Sequence, residues 1–127
     1  MRYMLLVHHD EQAWTKVDTR ERDKALAEAV KLTHELAAEG RYVDAAPLQP
    51  TTTATSVRVR EGRRLVTDGP FAETREQLGG YFLIEAGDLD EAIAVAARIP
   101  GARWGTVEVR PVREIEGLPA AGRPRRP

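Results

Sequence analysis

Cysteine is absent from the chain. That excludes a disulfide framework and any metal site built on thiolates. A reducing, cytoplasmic setting is the expectation that goes with it. Charge of one sign is absent too: 19 basic and 20 acidic side chains leave a formal net charge of −1. Basic residues are interleaved with acidic ones, so neither nucleic acid nor an anionic membrane is an expected partner. No apolar run approaches the roughly 20 residues that a membrane helix needs. The apolar stretch near the N-terminus ends at His8-His9-Asp10 and lacks a full signal-peptide pattern. No nucleophile elbow, phosphate loop or dinucleotide fingerprint occurs. There is no internal repeat beyond two strand–helix–strand halves. A chain of 127 residues is long enough to bury a core as one domain.

What is present centres on Asp68-Gly69-Pro70-Phe71-Ala72-Glu73-Thr74-Arg75-Glu76-Gln77-Leu78-Gly79-Gly80-Tyr81-Phe82-Leu83-Ile84-Glu85. Pro70 fixes its own φ and biases Gly69 toward an extended backbone. A type I turn is expected over Gly69–Ala72. Asp68 fits a turn cap, or alternatively a carboxylate held at the mouth of a pocket. Thr74-x-x-Gln77 predicts a capping box and one helical turn. Gly79-Gly80 then opens an apolar strand. Either glycine is expected to hold a positive φ or to admit another backbone closely.

The remaining elements follow in order. Arg2 to Val7 is a continuous apolar run, the pattern of a strand covered on both faces. Glu11 to Val17 reads as a loop containing Trp14. Asp18-x-x-Glu21 opens a helix to about Glu39, with Leu26, Ala29, Val30, Thr33, Leu36 and Ala37 on one face and Gly40 as its stop. Tyr42 to Leu48 is a second strand, at a sheet edge because of its prolines. Ser56–Arg60 and Arg64–Thr67 alternate around Glu61-Gly62-Arg63 as a hairpin. Tyr81–Glu85 is the next strand. Asp88-x-x-Glu91 opens a second helix that ends before Pro100, and Thr106–Val112 is a half-exposed strand. Residues 1–113 form the expected domain. Residues 114–127, rich in Gly, Pro and Arg, are expected to be a disordered tail that the fold does not need. The pattern gives an α+β protein with two helices on one face of an antiparallel sheet. Two of its strands are apolar on both faces, and two helices cover only one. A second copy of the chain, as a homodimer, is the expected cover for the other.

His8-His9-Asp10 is the first chemical candidate. Neighbouring strand residues point to opposite faces, so only one of His8 and His9 can face a given cavity. An imidazole beside Asp10 suits acid–base chemistry near neutral pH. A metal needs three or more converging ligands, and the only other histidine is His34. No metal and no cofactor are therefore expected.

The DGPF stretch from Leu65 to Thr74 with Gln77–Phe82, Pro47-Leu48-Gln49-Pro50 with Ala54–Arg58, and Val107–Val112 together resemble the YCII-related family. The resemblance extends from Arg2 to about Arg113. It implies a ferredoxin-like βαββαβ fold with an inserted β-hairpin, of the dimeric α/β-barrel type. Some members are thought to pair a histidine of the first helix with an aspartate; Ala29 stands near that position here, and His34 is out of phase with it. The resemblance also places the first strand centrally, so that its end meets the DGPF turn. His9, Asp10 and Asp68 are then the candidate catalytic groups, with His8, Trp14, Phe71 and Tyr81 as candidate ligand contacts. Two functions are expected to compete. One is a cofactor-independent lyase or isomerase acting on a small molecule. The other is a non-catalytic binding or regulatory module, linked by association to sigma-factor-type transcription control.

Overall fold

The computed structural model describes residues 1–119. Six strands and three helices follow the order β1 (Arg2–His9), α1 (Glu11–Thr15), α2 (Thr19–Ala38), β2 (Tyr42–Pro47), β3 (Thr55–Arg60), β4 (Arg63–Asp68), β5 (Gln77–Glu85), α3 (Leu89–Arg98) and β6 (Thr106–Pro111). Short 3₁₀ turns occupy Thr51–Thr53 and Pro100–Arg103. The main sheet has the strand order β2-β5-β1-β6 with every neighbouring pair antiparallel. β3 and β4 form a separate two-stranded sheet. This mixed architecture is compatible with a ferredoxin-like α+β fold.

The core lies between the main sheet and the two long helices. Tyr3 and Leu5 of β1, Phe82 and Ile84 of β5, Leu32 and Leu36 of α2, and Ala92, Val95 and Ala96 of α3 pack as one buried cluster. Leu5, Leu36, Ile84 and Val95 are fully enclosed. Burying a side chain of this size stabilises the fold by about 1.5–3 kcal/mol. The alternation of β1 and β5 turns Met4, Leu6, Tyr81 and Leu83 to the other face, where they are half-buried. Arg2 bonds Glu85 on that face at 2.8 Å.

Local signals set the helix ends. Asp18 accepts from Arg20 N at the start of α2. At its end Gly40 sits at φ +74°. Gly40 N bonds Ala37 O at 3.1 Å and Arg41 N bonds Leu36 O at 2.8 Å, the two bonds of a Schellman motif. Asp88 caps α3 by accepting from Glu91 N at 2.9 Å.

Several expectations are corrected. Residues 11–15 form a short helix rather than a loop, because the Asp10 carboxylate accepts from Gln12 N and Ala13 N. No helical turn follows Thr74. Its hydroxyl donates to Glu76 O, the Gln77 amide donates back to Thr74 O, and Gln77 already belongs to β5. The strand thus begins four residues before Tyr81. Gly69 is not extended but lies at φ +94°, an option that Pro70 leaves open to glycine alone. Its N–H reaches Ala54 O at 2.7 Å, tying the DGPF segment to the base of the hairpin. The expectation of a disordered tail falls largely on residues 120–127, outside the described residues.

Candidate functional site

A cleft of about 1080 Å³ opens between α2 and the helix-facing side of the sheet. Ala25, Leu26, Ala29, Val30 and Thr33 form its α2 wall. Val7, Tyr42, Ala45 and Phe82 form its sheet wall, and Pro47, Leu48 and Pro50 border it. Its size and mostly apolar lining are those of a small-molecule site.

His9 lines this cleft because strand alternation puts it on the same face as Tyr3, Leu5 and Val7, and a defect in the β1–β5 ladder makes room for its ring. Val7 pairs with Gly80 and His8 with Leu78, so Gly79 is skipped. The bulge lies on β5, where the extra residue is left unpaired. A Cβ on Gly79 would collide with the His9 ring, standing only 2.6 Å from its Nδ1. Glycine there lets the imidazole lie across the adjacent strand. The His9 ring meets Trp14 at 5.8 Å between centroids, and Trp14 meets Trp104 edge-on at 5.4 Å. Arg103 lies 5.0 Å from the Trp104 ring and grips Glu28 of α2 at 2.8 and 3.1 Å. That guanidinium holds the Glu28 carboxyl below the usual carboxylate range. The run His9–Trp14–Trp104–Arg103 thus joins the end of β1 to α2 along one side of the cleft.

The other candidates lie elsewhere or are engaged. His8 projects to the opposite face, with Nε2 3.3 Å from Glu108 Oε1. Asp10 caps α1, its Oδ1 accepting from Gln12 N and Ala13 N, and lines a separate pocket of about 60 Å³ with His9, Trp14 and Trp104. Asp68 ends β4 opposite Thr55, on an exposed hairpin away from the cleft. Phe71 is 80% exposed and does not line the cleft either. Tyr81 adjoins the cleft, but its side chain turns to the opposite face of the sheet, where its hydroxyl donates to Asp44 at 2.7 Å. That bond, chiefly, and burial raise its pKa, which makes Tyr81 a poor proton donor at neutral pH. The structure therefore brings His9 and Trp14 together at the cleft. It does not bring Asp10, Asp68, His8 or Phe71 there. Among the described residues no three His, Asp or Glu side chains converge as a metal site.

Ala29 lines the cleft, and His34 is exposed on α2. Among the cleft residues that escaped the sequence reading are Trp104, Tyr42 and Arg22. Arg22 leaves a trace, because it falls seven residues before Ala29 on the apolar stripe of α2. Trp104 leaves none, since its position depends on the 3₁₀ turn after α3.

Two comparisons bear on what this chain is similar to. The family model described as the YCII-related domain matches residues 1–116. An uncharacterized protein of Rhizobium meliloti (strain 1021) is 35% identical over 114 residues, which cover 88% of this chain and 92% of that protein. The chain belongs to the YCII-related family.

Proposed function

We propose that the protein binds a small, largely apolar molecule in the cleft beneath α2 and exchanges a proton with it through His9, as a cofactor-independent lyase or isomerase. The observation that carries this reading is the imidazole laid across β5 at Gly79, on the wall of a cleft of about 1080 Å³. Histidine titrates near neutral pH and so serves as acid and base in turn. The surrounding apolar wall excludes competing water, which strengthens any polar contact made inside. No carboxylate of Asp10 or Asp68 orients the ring, so His9 acts alone in this proposal.

That same separation favours a second reading, a non-catalytic binding or regulatory module in which His9 only recognises the ligand. The two readings part in heavy water. A cleft ligand identified by thermal shift is incubated with the protein in D₂O and weighed by mass spectrometry. Deuterium uptake that disappears with His9→Gln supports proton transfer. Binding without uptake supports the module. A shift that survives both His9→Gln and a cleft-filling Thr33→Trp contradicts both readings.

A homodimer of the α/β-barrel type belongs to the proposal, at a cytoplasmic location. Met4, Leu6, Tyr81 and Leu83 share the sheet face that the helices leave uncovered, and a second sheet would bury them. Light scattering at low micromolar concentration tests this; a monomer mass contradicts it.

A further inference from the structure

Arg22 is the unexplained residue of the cleft. It stands in the first turn of α2, and its Nε is shut off from solvent with no hydrogen-bond partner. Among the described residues its side chain makes one hydrogen bond, Nη2 to Thr19 Oγ1 at 3.2 Å, which engages a neutral group. Arg2, Arg41, Arg98, Arg103 and Arg110 all lie within ion-pair distance of a glutamate; among the described residues no carboxylate stands within that distance of Arg22. Yet two carboxylates line the same cleft. Glu11 is turned to Thr51, whose N and Oγ1 it binds at 2.9 and 2.8 Å. Asp23 is exposed, where water screens it.

A buried donor without an acceptor is rare in folded proteins; the Nε itself is shut off, and the half-buried guanidinium meets the cleft through its Nη groups. Guanidinium is the group best shaped to take a carboxylate-type anion through two parallel N–H bonds. The first turn of α2 adds partial positive charge of the same sign. We infer that the cleft takes an amphipathic organic anion, its acidic head on Arg22 and its apolar body along Leu26, Ala29 and Phe82. This rests on the cleft being the ligand site and adds the charge of what it binds.

A matched pair of fluorescent probes tests it. 8-Anilinonaphthalene-1-sulfonate carries an anionic head, and N-phenyl-1-naphthylamine is the same body without it. Both are titrated into the full chain and into Arg22→Met, Arg22→Lys, Ala29→Trp and Thr33→Trp, each checked for folding by its melting curve. The expected result is that Arg22→Met weakens the anionic probe about tenfold or more, the loss typical of a charged hydrogen bond. It should leave the neutral probe within about twofold, with partial recovery of the anionic probe in Arg22→Lys. If both probes respond to the tryptophan substitutions but Arg22→Met leaves their affinity ratio unchanged, the anion inference is overturned and the cleft stands. If neither probe responds to either tryptophan, the cleft itself is overturned, and this inference with it.

Discussion

The helix-covered sheet and the β3–β4 hairpin are made from similar apolar alternation, yet they differ in what lies against them. Leu5, Ile84 and Val95 are fully enclosed, while Val57, Val59 and Val66 expose 60%, 62% and 58% of their surface. Val57 pairs directly with Val66, so these side chains share one face of the ribbon. A two-stranded hairpin is marginal without a cover. Alternation of residues decides that a strand forms; only tertiary cover turns its apolar side chains into stability. The contrast extends to function. The motif most easily recognised, Asp68-Gly69-Pro70-Phe71, sits on the uncovered hairpin, whereas the cleft sits in the covered layer.

The sharpest way to break this contrast is truncation on each side of it. Leu36→Ala should cost about 2–5 kcal/mol in urea unfolding. Val57→Ala in a monomeric chain should cost less than about 0.5 kcal/mol. A large Val57 effect that grows with protein concentration would show that a second copy covers the hairpin.

Next in size is Gly79→Ala. The added methyl displaces the His9 ring or strains β5, and overpacking of this kind costs roughly 1–3 kcal/mol. His9 should also lose its place in the cleft, read as a change in its imidazole ring resonances. An unchanged melting point and unchanged resonances would contradict the bulge geometry.

Caps rank below. Asp18→Ala should lower stability by about 1 kcal/mol through the lost α2 cap, whereas Pro70→Ala on the hairpin side should cost roughly 0.5 kcal/mol through the unfolded state. Equal effects of several kcal/mol would erase the difference between the two regions.

The smallest effect concerns pH. The Arg2 guanidinium, chiefly, holds the Glu85 carboxyl below its ordinary value. A depressed folded pKa stabilises the fold above the unfolded value near 4.3, and this is lost as pH falls through the folded value. Glu85 is substantially exposed, so solvent screening leaves well under about 1 kcal/mol. Glu85→Gln should therefore be slightly less stable at pH 7, with the difference shrinking as the pH is lowered through the acid range, by thermal melts.

What the sequence made legible was local. Asp18, Gly40 and Asp88 end their helices through bonds to neighbours a few residues away, and Glu61-Gly62 close the hairpin with the two positive φ values of a tight turn. The helix α1 was hidden because five residues are too few to show a period. The start of β5 was hidden because Gly79-Gly80 resembles a break; the strand runs through them because His9 and β2 press in from either side. The cleft was only half legible. The face of His9 follows from alternation with Leu5 and Val7, but the room for its ring depends on a ladder slip at Gly79 between strands some 70 residues apart. The site of Asp68 in the fold, and the stranded Nε of Arg22, are tertiary facts that no local pattern encodes.

The chain has two tryptophans, and both border the cleft. Their indole N–H cross-peaks in a ¹H–¹⁵N spectrum are therefore reporters of the proposed site, and the backbone amides of Gly69 and Phe71 report on the DGPF segment. On titration with N-phenyl-1-naphthylamine, both indole peaks should move and saturate at one ligand per chain while Gly69 and Phe71 stay fixed. Movement of Gly69 and Phe71 with both indoles unchanged would contradict the account and put the ligand on the hairpin.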